Sequence, residues 1–247
     1  RGASRNNLSK LNLDLPLGCF VALAGVSGSG KSTLLENVVR DGLLASLGQV
    51  AEDAADLKSI RSDVDFVEVV MVDQTPLGKT PRSNPALFTD AWGSIRDAFA
   101  RTDDARRAGF SSSDFSFNSG TGRCEQCQGL GYERVEMQFL ADVYAPCPAC
   151  EGCRFKDEIL AIRLDGLNIT QVLELSVSEA VERFDRIPRT SNNLRVLEEV
   201  GLGYLPLGQP LNTLSGGEAQ RLKLVKYLGS LGSGDKPSLL LLDEPTT

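Results

Sequence analysis

The order of apolar and polar positions divides this chain into short strands, amphipathic helices and polar connectors. Leu11, Leu13 and Leu15 alternate with polar neighbours, the period-two pattern of a half-buried strand, and Pro16-Leu17-Gly18 turns the chain after it. Phe20-Val21-Ala22-Leu23-Ala24 is a continuous apolar run of buried-strand type, with Cys19 leading into it as an expected core residue. Leu34 to Arg40 continues as a helix, and residues 41–62 read as a short helix followed by a solvated connector. Phe66 to Val72 predicts a strand ended by Asp73-Gln74-Thr75-Pro76, and Leu77 to Pro85 an irregular polar loop. Trp92, Ile95 and Phe99 fall on one face of a helix over Ala91–Ala100, whereas the Ser/Gly-rich residues 111–122 read as a linker. Tyr132 to Val143 is strand-like, and so is Ile159 to Leu164. Ser176 and Glu179 form a capping box that opens a helix through Phe184. Leu194, Leu197 and Val200 mark a further helix stopped by Gly201, a last helix runs to about Leu228, and Leu239 to Leu242 is a final apolar strand.

Chemistry enters at the junction of the first apolar run and its helix. Gly25-Val26-Ser27-Gly28-Ser29-Gly30-Lys31-Ser32-Thr33 satisfies the phosphate-loop pattern, in the strand–loop–helix context that the pattern needs. Glycines let backbone N–H groups turn toward a phosphate, and the helix N-terminus adds partial positive charge. The site assigned here to ATP comprises Gly25, Ser27, Gly28, Gly30, Lys31, Ser32 and Thr33. Lys31 is placed to reach the β- and γ-phosphates, and the Ser32 hydroxyl to sit on Mg²⁺.

Leu239-Leu240-Leu241-Leu242-Asp243-Glu244 is a Walker B pattern, a buried strand with two carboxylates at its end. Asp243 is the second expected holder of Mg²⁺, and Glu244 the general base for the attacking water. Leu214-Ser215-Gly216-Gly217-Glu218-Ala219-Gln220 matches the signature of ABC-type ATPases. That likeness implies that Ser215, Gly216 and Gly217 contact the γ-phosphate of ATP held by a facing phosphate loop. It also implies that Gln74 senses Mg²⁺ and γ-phosphate and, with Lys31 and Glu244, supports catalysis. The chain has no histidine, so the switch histidine of such ATPases is missing. The chain stopping short of that position is the simpler reading, a degenerate ATPase the alternative.

Two C-x-x-C pairs, Cys124/Cys127 and Cys147/Cys150, have the spacing of a four-cysteine Zn²⁺ site, each pair followed by glycine as a knuckle requires. Redox thiols or buried cysteines are the alternatives. Cys153 is a spare. Composition then narrows the setting. No run of apolar residues is long enough to span a membrane, and paired cysteines beside an ATP motif suit a cytoplasmic chain. The formal net charge of −7 argues against indiscriminate nucleic-acid binding, but residues 41–69 hold seven acids against Lys58 and Arg61, so the remainder is close to neutral.

Arg1-Gly2-Ala3, Asn7-Leu8, the phosphate loop, Asp73 to Ala86, Phe117-Asn118, Gly122-Arg123-Cys124-Glu125, Glu136-Met137-Gln138-Phe139-Leu140, Gly203 to Gln209 and the signature together resemble the UvrA family, damage-recognition ATPases of bacterial nucleotide excision repair. The resemblance covers nearly the whole chain and points to the C-terminal ATPase half of such a protein, or of a UvrA-like paralogue for drug tolerance or self-resistance. It implies an α/β fold: an ABC-type core from residues 1–75 and 236–247, and an inserted, mainly helical signature domain, 76–235, carrying a zinc hairpin over 120–156. It implies a homodimer on damaged double-stranded DNA, gated by ATP, with a UvrB-type partner recruited by the parent protein but not through this segment. Contacts to phosphates are assigned to Lys79, Arg82, Ser83, Arg123, Arg154 and Lys156. Residues 41–65 carry no family string, and Cys153 stands where the family pattern has another residue. A transport-type ATPase subunit is the reading from another class, and it has no use for the zinc hairpin.

Overall fold

The computed structural model describes residues 1–75, 77, 80–135, 137, 143–228 and 237–244. They form two compact units, Arg1–Gln74 with Ser230–Thr247, and Thr75–Gly229. The first unit opens with an antiparallel ribbon, β1 (Ala3–Arg5) against β2 (Leu8–Leu11). Gly30, with φ 96°, then starts a continuous helical run: α1 (Lys31–Thr33), a π-helical stretch Leu34–Arg40, and α2 (Asp41–Ser46). The wider π turn brings the adjacent residues Val38 and Val39 both inside, where they pack with Ala3, Leu34 and Ala55. β3 (Glu68–Val72) follows.

Two expectations fail in this unit. Phe20–Ala24 joins no ladder among the described residues, and Phe20 is 84% exposed. A strand exists only through a neighbour's N–H and C=O groups, so an apolar run without one stays extended and open to solvent. Leu13, Leu15 and Cys19 are exposed for the same reason, and Cys19 is not a core residue. The acid-rich stretch is a short helix and a mostly exposed connector, as expected, and within the helix Asp41 is wholly buried, pairs with Arg40 Nε at 2.7 Å and accepts the Asp53 N–H at 2.9 Å.

The second unit is mainly helical. α3 (Pro85–Phe88) is capped by Asn84 and has proline in its first turn; α4 (Ala91–Ala100) buries Trp92, Ile95 and Phe99 on one stripe; α5 (Asp103–Ala108) is capped by Thr102 and closed by Gly109 in the left-handed region. Residues 111–122 are not a free linker, because Phe115 and Phe117 enter the core beside Phe99 and Trp92. β4 (Tyr132–Val135) and β5 (Val143–Pro146) are the arms of an antiparallel hairpin. The apolar run after it is not a strand: Ile159 and Leu160 close the short helix α6 (Asp157–Leu160), which turns Ile159 inward, and the chain then leaves the helix with Ile162 buried three residues on. A short apolar run fits either period, and burial of one side settles it.

α7 (Ile169–Glu174) and α8 (Val177–Arg183) each begin with a reciprocal capping box, Asn168/Gln171 and Ser176/Glu179. α9 (Pro188–Glu199) packs against α4 and α8 through Leu194 and Leu197, and the chain leaves it at Gly201 with φ 74°. α10 (Gly216–Leu228) ends the unit. Each large side chain buried in this core contributes about 1.5–3 kcal/mol. Back in the first unit, β6 (Ser238–Leu242) pairs in parallel with β3, from Glu68 against Ser238 to Val72 against Leu242.

Candidate functional site

The phosphate loop owes its shape to left-handed backbone at its glycines. Gly28 and Gly30 have φ of 75° and 96°, a region open to glycine, and a Cβ at Gly30 would stand 2.8 Å from Asn7 Oδ1. Lys31 Nζ donates to the carbonyls of Gly25 at 2.9 Å and Val26 at 3.0 Å, so the ammonium closes the loop that it would share with a phosphate. Asn7 Nδ2 donates to Gly28 O at 2.9 Å and steadies the loop from the β1–β2 turn.

The parallel β3–β6 pair places the second half of this site. Asp243 leaves the end of β6, and Ser32 Oγ lies 3.2 and 3.4 Å from its two carboxylate oxygens, although 211 residues separate them. Octahedral Mg²⁺ at about 2.1 Å from each ligand sets neighbouring oxygens about 3 Å apart. A hydroxyl and a carboxylate at this separation therefore fit one Mg²⁺ ion. Gln74, just past β3, donates from Nε2 to Glu244 O at 3.4 Å. Glu244 has φ 47°, the left-handed region, which turns the chain sharply behind Asp243. Ser27 and Thr33 lie in the same unit, and Thr33 Oγ1 accepts from Asn6 Nδ2.

In the second unit the four paired cysteines converge. Their sulfurs all lie within 4.8 Å of one another, with Cys124–Cys147 at 4.0 Å and Cys127–Cys150 at 3.6 Å. A tetrahedral ion about 2.3 Å from each sulfur would set them about 3.8 Å apart, so the cluster fits Zn²⁺. Gly131 N–H donates to Cys127 Sγ at 3.2 Å, the knuckle contact that glycine permits. Burial pushes the Cys127 thiol up and, with Cys127 beside it, pushes Cys150 up to about 12. At Cys147 burial acts in the same direction, but the N–H groups of Cys150 and Ala149 outweigh it and hold the thiol below its ordinary value. A cation entering the cluster displaces the protons that burial keeps on Cys127 and Cys150. Cys153 lies outside the four; its carbonyl accepts from Thr170 Oγ1 at 2.6 Å.

The base of this hairpin is an antiparallel pairing in which Cys124 N–H donates to Arg154 O and Lys156 N–H to Gly122 O, both at 2.9 Å. Most of the cations assigned to phosphates are engaged there. Arg82 donates to Phe117 O at 3.4 Å and Gln128 O at 3.0 Å; Arg123 donates to Asn118 O at 2.5 Å; Lys156 pairs with Glu125 at 2.6 Å. Arg154 donates to Gly208 O at 3.1 Å and lies over the Phe117 ring, 5.4 Å from its centre. Ser83 accepts Leu211 N–H on its carbonyl at 2.9 Å, and Lys79 lies outside the described residues. The Arg154–Phe117 contact was not visible in the sequence, since it joins residues 37 apart with no shared pattern.

It makes a local prediction. Arg154→Met, which keeps the stem but leaves Gly208 O unmet, should cost about 1–3 kcal/mol in urea unfolding, with Arg154→Lys in between because an ammonium cannot stack flat on the ring. Equal stability of all three proteins would show that the contact is idle.

The ABC transporter family model matches residues 8–143. Over its whole length the chain is 48% identical to UvrABC system protein A of Methanothermobacter thermautotrophicus and 46% identical to that of Bacillus subtilis, spanning 26% of each relative. The crystal structure of UvrA2 from Deinococcus radiodurans superposes on 99% of this chain and 29% of its own, with a TM-score of 0.85 and 46% identity. The chain thus spans about a quarter of the length of these curated relatives. No helix among the described residues is long and apolar enough to cross a membrane.

Proposed function

Since the chain belongs to the ABC transporter family, we propose that it is the ATP-hydrolysing segment of a cytoplasmic UvrA-type repair protein that works as a dimer on damaged duplex DNA. One observation carries the reading: a paired Ser32–Asp243 nucleotide site and a four-cysteine cluster occur in one chain, which a transport ATPase subunit has no use for. The first unit is the ATP-binding core, and the second is the signature domain with its zinc hairpin.

In the core, Gly25, Ser27, Gly28, Gly30 and Thr33 surround the phosphates with backbone and hydroxyl donors, and Lys31 exchanges its loop carbonyls for β- and γ-phosphate oxygens. Ser32 and Asp243 hold Mg²⁺, which supplies charge neutralisation on the transferred phosphoryl group. Glu244 takes the proton of the attacking water, and Gln74, hydrogen-bonded to the Glu244 carbonyl, reports phosphate state to β3. In the signature domain Ser215, Gly216 and Gly217 meet the γ-phosphate. Cys124, Cys127, Cys147 and Cys150 hold structural Zn²⁺. Around the hairpin base Lys156, Arg123 and Ser83 face phosphates, while Arg82 and Arg154 also set the hairpin's position, and Lys79, outside the described residues, is assigned to the same role. Binding through phosphates is blind to sequence, so discrimination comes from the deformability of damaged DNA. UvrB-type recruitment belongs to other parts of the parent protein. A second reading is a UvrA-like paralogue for drug tolerance or self-resistance; the likeness to UvrA2 is compatible with a paralogue and equals that to UvrABC system protein A.

The test is titration of matched intact and lesion-bearing duplexes onto the zinc-loaded native full-length protein and its Lys31→Ala variant, across salt and with or without ATP. The expected result is tighter lesion binding that shifts with ATP in the wild type only, with a slope of log affinity against log salt set by the phosphates contacted. No DNA binding in any nucleotide state, or ATP-shifted binding that survives Lys31→Ala, would overturn the proposal.

A further inference from the structure

The first turn of α10 is closed by a latch that phosphate contact alone does not require. Ser215 and Glu218 cap each other: Glu218 N–H donates to Ser215 Oγ at 3.3 Å, while Glu218 Oε2 accepts the Ser215 N–H at 2.7 Å and its hydroxyl at 2.9 Å. A capping box ordinarily leaves the second carboxylate oxygen to water. Here Tyr204 takes it, its hydroxyl donating to Glu218 Oε1 at 2.5 Å.

Tyr204 is not there to fill the core, since it is 58% exposed between the buried Leu202 and Leu205, which fix the turn that carries it. The same turn is tied to α10 a second time, by Arg221 donating to Gly201 O at 3.4 Å. The tyrosine hydroxyl, ahead of the Ser215 N–H, holds the Glu218 carboxyl below its ordinary range, and Glu218 in turn pushes the Tyr204 hydroxyl up.

The electrostatic consequence concerns an incoming anion. A carboxylate in the first turn of α10 repels a phosphate and competes with it for the same N–H groups. Held at both oxygens on the Ser215 side, Glu218 cannot swing across the helix end onto the N–H groups of Gly216 and Gly217.

We propose that Tyr204 is a positioning residue for the signature serine: through Glu218 it presents Ser215, Gly216 and Gly217 to the terminal phosphate of a nucleoside triphosphate. The proposal rests on the reading of Ser215 as a γ-phosphate contact.

Steady-state ATP hydrolysis by the native full-length protein tests it, with four variants: Tyr204→Phe, Glu218→Gln, the two combined, and Ser215→Ala. Tyr204→Phe should raise KM for ATP about tenfold, the worth of one hydrogen bond to a charged group, with kcat changed less than about twofold. Glu218→Gln keeps the capping geometry without the charge, so the double variant should recover KM to within about threefold of wild type. That rescue is something a merely structural tyrosine would not produce. Tyr204→Phe with wild-type KM, alongside a Ser215→Ala that impairs hydrolysis, would overturn the latch and leave the signature serine standing. A Ser215→Ala with unaltered kinetics would overturn the underlying reading and the latch with it. A Tyr204→Phe that loses kcat and thermal stability together, unrescued by Glu218→Gln, would make the tyrosine a folding residue and overturn the proposal too.

Discussion

Glu244→Gln should lower kcat for ATP hydrolysis by about 10²–10⁴-fold while ATP still binds, because the amide keeps the shape of the side chain but cannot take a proton. The geometry behind this is local. Glu244 follows Asp243 at the end of β6, in a left-handed turn with φ 47°, and its carbonyl rather than its carboxylate accepts from Gln74. Exchanging the carboxylate for an amide therefore leaves that hydrogen bond and the Ser32–Asp243 pair in place. Equilibrium binding of a fluorescent ATP analogue and single-turnover hydrolysis, measured on the same protein, separate the two effects. If hydrolysis fell less than about threefold, the general base would lie elsewhere.

The second large effect is expected at Cys147, a wholly buried member of the sulfur cluster. Cys147→Ser should take the purified protein from one bound zinc to none after dialysis, because structural Zn²⁺ supplies about 10 kcal/mol or more of folding free energy to small modules and a hydroxyl is a poor ligand for it. The hairpin arms β4 and β5 should then become open to protease while the helix signal in far-UV circular dichroism persists. The core around Trp92, Phe99, Leu194 and Leu197 owes nothing to the cysteines. Full zinc retention in the variant, measured by elemental analysis, would remove the metal assignment. Loss of all helix signal would show that hairpin and core fold as one.

The parts of this fold that were legible in the sequence are those specified within a few residues. The stripe Trp92, Ile95, Phe99 marks α4, and the Ser176/Glu179 pair opens α8, because helix periodicity and capping act over one or two turns. The cysteine pairs were readable for a similar reason, since each knuckle is a local unit and only their meeting is long-range. What escaped depended on partners distant in the chain. Phe20–Ala24 has every local property of a strand but no ladder to join among the described residues. Phe115 and Phe117 sit among serines and glycines, and their composition hid two of the largest buried rings. Ile159 to Leu164 suited either period, and only its first two residues, Ile159 and Leu160, joined a helix. The Tyr204–Glu218 and Arg154–Phe117 contacts have no periodic signature at all.

The two units also differ in how they can come off the ribosome. Thr75–Gly229 is one uninterrupted stretch, able to collapse as soon as α10 has emerged. The first unit cannot, because β3 must wait for β6, from Val69 against Leu239 onward, until nearly all of the intervening chain has been made. Closing so long a loop is slow on entropic grounds and favoured once the intervening segment is compact. The nascent chain therefore completes its helical unit before β3 meets β6, leaving that edge open to chaperones or to a neighbouring nascent chain, and the Ser32–Asp243 pairing forms only after the helical unit has been made.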